Sequence, residues 1–176
     1  MNIYVVRHGQ TDWNVNGILQ GSSNIELNNT GKKQAKNLLN ELENTCFDYI
    51  ICSPLKRTIQ TAEILKNNSN IPMVINNSLI ERYYGDLEGT SRNDISKYWN
   101  YTENCNDFNV EPIQSFFKRI FNFMDDIKEN YKDKNVLIVT HYGVMIGIDC
   151  YVNGFKKNYN LDGYEFNNGT CQKYII

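Results

Sequence analysis

The chain has no cysteine pairing, no long hydrophobic run and no surplus of positive charge, and each absence removes a class of protein. Its five cysteines, Cys46, Cys52, Cys105, Cys150 and Cys171, are odd in number, widely spaced and without a C-x-x-C pair. That usage fits a reducing cytoplasm better than secretion. The N-terminal apolar run from Ile3 to Val6 stops at Arg7. A signal peptide needs a longer stretch and a membrane span about 20 residues, so neither export nor anchoring is expected. A formal net charge of −2 and a pI near 5.7 give no general attraction to nucleic acid or anionic lipid, so any anion site must be local. Histidine is scarce as well, with only His8 and His141. Asparagine is abundant but scattered, and no internal repeat is visible.

What is present is globular material. Hydrophobic residues are 41% and charged residues 22% of 176 positions, a balance that can bury a core as one domain over residues 1–176. The run NIYVV reads as a buried strand ending at Arg7-His8, with the turn-prone GQTDWNVNG after it. Ala35, Leu38, Leu39 and Leu42 recur at helical spacing after Thr30-Gly31, predicting a helix over roughly 30–44. Tyr49 to Cys52 is a second strand. Ser53-Pro54 then resembles a helix start, a capping hydroxyl followed by proline, which places Arg57 in the first turn.

Ile71 to Ile75 is a third strand candidate, and LIERYYGDLEG beyond it has neither helical nor strand period, as expected of a functional loop. The polar stretch at about 90–112 is a candidate lid. Ile113, Phe116, Phe117, Ile120, Met124 and Ile127 form a helical stripe that reads as core packing. NVLIVT is the cleanest buried strand; it ends at Thr140-His141 and feeds a helix opening near Gly143, and EFNNGTCQKYII closes the sheet. Strands alternating with helices predict an α/β fold, a three-layer α/β/α sandwich with a mostly parallel central sheet.

The informative coincidence is positional. Arg7 and His8 follow the first strand, Arg57 the second, and His141 the strand ending at Thr140. Ligands of such sheets bind at the carboxyl ends of the strands. If these strands are neighbours, two guanidinium forks and both histidines converge on one crevice, and the first amides of the helix after His141 can add neutral donors. Such a crevice suits a phosphoryl group. A histidine pair can also bind metal, but zinc sites usually add Cys, Asp or Glu ligands and an adjacent arginine repels a cation, so neither a metal nor a cofactor is expected.

Four motifs in order, RHGQTDWN at 7–14, SPLKRTIQTA at 53–62, ERYYGDLEG at 81–89 and THYGV at 140–144, together resemble the histidine phosphatase superfamily, which includes phosphoglycerate mutases. The resemblance spans most of the chain and implies the phosphoglycerate mutase-like fold. It implies that His8 is the nucleophile forming a phosphohistidine, that Arg7, Arg57 and His141 bind the transferring group, that Glu81 is the proton donor, and that Asn14 contacts phosphate; Gly143, at the start of the helix after His141, is the candidate among the amide donors. On the residues alone, Asp86 and Glu88 share the loop with Glu81 and stay open as alternatives. A neutral imidazole can attack phosphorus without a separate base, and its other nitrogen should then donate to a backbone carbonyl.

Asn24, Tyr142 and Gly147 depart from the family pattern, where aspartate, glycine and arginine are usual. These departures touch specificity and loop packing and leave the proposed phosphate ligands in place. Between Thr90 and Glu111 the basic residues are Arg92 and Lys97, against Asp94, Glu103, Asp107 and Glu111. That is poor material for a second anion site, so hydrolysis is favoured over mutase transfer, and a silent phosphate-binding module is the further alternative. The modest length resembles the compact bacterial phosphatases of the family, including α-ribazole phosphatase-like and broad-specificity enzymes. The expected partner is a small phosphorylated substrate. Its identity, the oligomeric state, and roles for Tyr83, Tyr84 and Trp99 are left unassigned.

Overall fold

Apolar, β-branched segments become central strands where both of their faces can be covered. In the computed structural model, which describes all residues except 93–94, 103–106, 157–158, 160 and 162, three such segments form the centre of a five-stranded sheet. Its strands are β1 (Asn2–Arg7), β2 (Tyr49–Cys52), β3 (Met73–Ile75), β4 (Asn135–Thr140) and β5 (Cys171–Ile175), in the spatial order β3-β2-β4-β1-β5. The first four run parallel and β5 closes the edge antiparallel to β1. The β3 strand is shorter than the expected 71–75, because it begins after Pro72, whose carbonyl still accepts from the Ile50 amide at 2.9 Å.

The helices are α1 (Asp12–Val15), α2 (Asn29–Glu41), α3 (Lys56–Lys66), α4 (Ile113–Asn130) and α5 (Tyr142–Asn153). Strand residues divide them by alternation. Val136 and Ile138 of β4, with Ile3 and Val5 of β1, pack against α4 and α5, whereas Leu137 and Val139, with Val6 and Ile50, pack against Leu38 of α2 and Ala62 and Leu65 of α3. The result is the expected α/β/α sandwich. Gly147 of α5 lets α4 approach closely, since a Cβ there would stand 2.6 Å from Ile120 Cδ1.

Two helix starts differ from expectation. The α2 helix begins at Asn29, one residue before the expected Thr30, because Asn28 Oδ1 accepts from the Gly31 amide at 2.8 Å and acts as the cap. It ends at Glu41 rather than 44. Ser53-Pro54 lies ahead of α3 instead of inside it. The N-cap, Leu55, has no side-chain cap of its own, and the Lys56 amide is taken at 2.7 Å by Asn24 Oδ1 from a distant loop.

The region expected as a lid is anchored to the rest of the fold at three points. Tyr98, Trp99 and Val110 are buried in the α4/α5 core. Residues 93–94 and 103–106 of that region, Asp94 and Glu103 included, lie outside the described residues.

The topology prepares a crevice. From β1 the chain crosses to the α2/α3 face, while from the adjacent β4 it turns into α5 on the opposite face. Divergence of neighbouring parallel strands opens the sheet at their carboxyl ends, which is where such folds bind ligands.

Candidate active site

Arg7 is the last residue of β1, and the chain then passes beneath the start of α2. At Gly9 a Cβ would stand 2.3 Å from the Gly31 carbonyl oxygen, so only glycine permits the approach. This turn points the His8 ring inward. The His8 amide donates to Thr140 O at 3.0 Å, and Nδ1 lies 2.7 Å from Gly9 O. A carbonyl can only accept, so Nδ1 carries the proton and Nε2 keeps a free lone pair. Burial, reinforced by the Arg57 and Arg7 charges, holds the His8 pKa well below 6.5 and keeps the ring neutral.

The His141 ring stands edge-on to His8, with centroids 5.2 Å apart. Arg57 Nε donates to His141 Nδ1 at 3.2 Å. A guanidinium has no acceptor, so the His141 proton sits on Nε2 and is donated to Ser53 Oγ at 2.8 Å. The Ser53 hydroxyl expected as a helix cap is therefore the acceptor that fixes this tautomer. Burial, then Arg57 and His8, also lower the His141 pKa well below 6.5. With both nitrogens engaged and no surface exposed, His141 stands behind Arg57 as its support.

Arg57 is aimed by two further bonds, Nη1 to Ser23 O at 2.6 Å and Nη2 to Gly21 O at 2.7 Å. Arg7 Nη1 donates to Phe166 O at 2.7 Å. Burial lowers both arginines to about 10, the Glu81 charge opposing the drop in each, so both remain cations at neutral pH.

Glu81 is gripped by two backbone donors, the Gly143 amide on Oε2 at 3.0 Å and the Arg82 amide on Oε1 at 2.9 Å. The amide of Gly143, at the start of α5, thus holds the carboxylate here. Asn14 Oδ1 accepts from the Thr11 amide at 3.1 Å in a capping box at the start of α1. Of the two alternative carboxylates, Asp86 accepts from Asn109 on the surface at 3.0 Å, whereas Glu88 is a structural hub. Its carboxylate accepts from the Ser22 amide at 2.8 Å, Ser23 Oγ at 2.7 Å and the Tyr84 amide at 3.1 Å. It therefore fixes the loop whose carbonyls hold Arg57.

These groups share a cavity of about 780 Å³ lined by Arg7, His8, Asn14, Arg57 and Glu81. Tyr84 and Trp99 join the lining, while Tyr83 points away and is exposed. Sequence reasoning named Ser53 and Glu88 but not the roles they take, and it missed the segment Tyr164 to Phe166, which also lines the cavity. It noted Arg92 only in a charge count, although Arg92 is a lining residue, placed by its amide bond to Gly17 O at 2.7 Å. Buried Arg82 braces the wall through Glu111 O at 2.9 Å and a bond to Tyr98 O. Among the residues departing from the family pattern, Tyr142 lies beneath the Arg7 guanidinium, 5.2 Å from its ring centroid.

The chain is similar to known phosphatases along most of its length. The profile of the Histidine phosphatase superfamily (branch 1) matches residues 3–172. The uncharacterized phosphatase PhoE of Bacillus subtilis is 36% identical over 79% of this chain and 70% of its own length. The adenosylcobalamin/alpha-ribazole phosphatase of Escherichia coli is 32% identical over 82% of this chain and 75% of its own. Among solved structures, the alpha-ribazole phosphatase of Shigella flexneri superposes with a TM-score of 0.84 at 29% identity, covering 98% of this chain and 89% of that one.

Proposed function

The chain belongs to the histidine phosphatase superfamily, and from that premise we propose that it hydrolyses small phosphomonoesters through a phosphohistidine on His8. The observation that carries this reading is the neutral His8 ring, held through Nδ1 by Gly9 O beside the buried Arg57 and the partly buried Arg7 guanidinium groups.

In the first step the His8 Nε2 lone pair forms the N–P bond as the P–O bond to the leaving group breaks. Glu81 gives its proton to the departing oxygen. Negative charge spread over the equatorial oxygens is met by Arg7 and Arg57, whose directions are already set by backbone carbonyls, so little reorganisation is needed. Asn14, which lines the same cavity, adds a neutral donor, while the Gly143 amide holds the Glu81 carboxylate in place. In the second step water attacks phosphorus, the Glu81 carboxylate takes the water proton, and the N–P bond breaks to return the electron pair to Nε2. Inorganic phosphate leaves, and atoms and charge balance without a metal or cofactor.

His141 acts on this chemistry through Arg57, its bond to Nε blocking rotation of the guanidinium. The proposed site of action is the cytoplasm, a reading supported by four described cysteines that are free; no described helix is long and apolar enough to cross a membrane. The test is phosphate release from p-nitrophenyl phosphate, sugar phosphates and 3-phosphoglycerate without added metal, for the native protein and His8→Ala. Release that disappears in the variant supports the reading, and equal release from both contradicts it.

A further inference from the structure

We propose that this pocket selects monoesters whose leaving group carries an uncharged aromatic ring. The inference rests on the phosphatase reading and names the substrate class for the same site.

A phosphoryl group is small beside a cavity of about 780 Å³, so most of the space is left for the leaving group. Beyond Arg7 the wall is aromatic. Tyr142 meets Trp99 on one side, centroids 6.4 Å apart at 79°, and Phe166 on the other, 6.4 Å at 67°. Phe166 continues into Tyr164 at 5.6 Å and 31°. Arg7 joins this wall to the phosphate site, donating to the Phe166 carbonyl while its guanidinium covers Tyr142. Atoms attached to the ester oxygen must therefore emerge beside these rings.

The polar ends of the wall are committed elsewhere. The Tyr142 hydroxyl donates to Tyr164 O at 3.0 Å, and the Tyr164 hydroxyl pairs with Cys150 Sγ at 3.5 Å. What the segment offers a ligand is ring surface, with Phe166 contributing no polar atom from its side chain. An edge-on or offset ring is the natural complement, because aromatic pairs gain beyond simple area burial.

Charge argues against a second anionic group at this wall. Arg92 lines the cavity with its backbone held to Gly17 O at 2.7 Å, away from the Tyr164 to Phe166 segment in sequence, and its charge adds to the positive field at Arg7. The charged lining residue on the aromatic segment is Glu165, an exposed acid that a carboxylate or second phosphate would face. Lys156 sits 3.6 Å from the Tyr164 ring centroid, outside the lining, with its ammonium also directed at Gly163 O.

The experiment compares kcat/KM for benzyl, cyclohexylmethyl and n-propyl phosphates, whose alcohols are similarly poor leaving groups, together with 3-phosphoglycerate. The native protein should favour benzyl over n-propyl phosphate by about 10-fold, and benzyl over cyclohexylmethyl phosphate by about threefold. Phe166→Ala should reduce the benzyl to n-propyl ratio to about threefold or less, and Phe166→Tyr should keep it; thermal melts confirm that both variants fold. Equal turnover of benzyl and n-propyl phosphates overturns the proposal and leaves the phosphatase reading standing. Cyclohexylmethyl phosphate equal to benzyl, or a preference for 3-phosphoglycerate, also overturns it. No turnover of any ester rejects the phosphatase reading and this proposal together.

Discussion

Replacing Glu88 with alanine removes the acceptor shared by the Ser22 amide at 2.8 Å, Ser23 Oγ at 2.7 Å and the Tyr84 amide at 3.1 Å. Bonds to a charged acceptor are worth about 1.5–3 kcal/mol each when dry, but Glu88 is half-exposed and water can refill part of the gap. The net cost should be about 2–3 kcal/mol, or roughly 4–10 °C in Tm for a chain of this size. Catalysis should suffer more than stability implies. Gly21 O and Ser23 O flank Ser22 and together hold both terminal nitrogens of Arg57. Letting that loop drift by about 1 Å misplaces a guanidinium that must meet the phosphoryl oxygens, an error worth on the order of 100-fold in rate. The assay is kcat/KM on p-nitrophenyl phosphate, the Kd for inorganic phosphate, and Tm, for Glu88→Ala and Glu88→Gln. Glutamine keeps an oxygen acceptor and should recover a substantial part of the activity. If Glu88→Ala lowers Tm as expected yet leaves kcat/KM within about twofold of native, Arg57 is held without this loop and the reasoning is wrong.

Acid should weaken the fold through the two histidines. Both have pKa values lowered well below 6.5 by burial, so below pH 6.5 the unfolded chain binds protons that the folded one does not. Stability is then fully present above pH 6.5 and falls by up to about 1.4 kcal/mol per pH unit for each histidine. Thermal melts should show Tm dropping between pH 6.5 and 5.5, with a shallower slope in His141→Asn; a flat Tm over that interval would speak against burial of neutral rings. Gly9→Ala should cost about 3 kcal/mol or prevent folding in denaturant titrations, since its Cβ would meet the Gly31 backbone at 2.3 Å and no side chain can swing clear. Ser53→Ala strands the buried His141 Nε2–H and should lower stability by about 1–3 kcal/mol, with loss of activity as Arg57 loses a fixed partner.

The fold was legible where burial on both faces leaves a continuous apolar signature. NIYVV, YIIC and NVLIVT became β1, β2 and β4, and their carboxyl ends carried Arg7, His8, Arg57 and His141 into one place. What escaped the sequence was pairing across distance. Glu88 and Ser22 are 66 positions apart, and a loop carboxylate looks the same whether solvated or used as a hub. Ser53 beside proline carries a capping signal, yet its hydroxyl meets a ring 88 positions away, and the cap for α3 arrives from Asn24. Within the polar residues 90–112, Tyr98 and Trp99 carry no period that reveals them turning inward. The segment from Tyr164 to Phe166 has no repeating pattern either, and only the folded cavity makes its rings a surface.

The central claim is a covalent bond between phosphorus and His8. Native protein mixed with p-nitrophenyl phosphate and quenched in base within milliseconds should gain the mass of one phosphoryl group on the peptide containing His8. That label should be stable to base and lost in acid, and absent from His8→Ala. A label that persists in His8→Ala, or native turnover at full rate with no labelled protein at any quench time, would contradict the account.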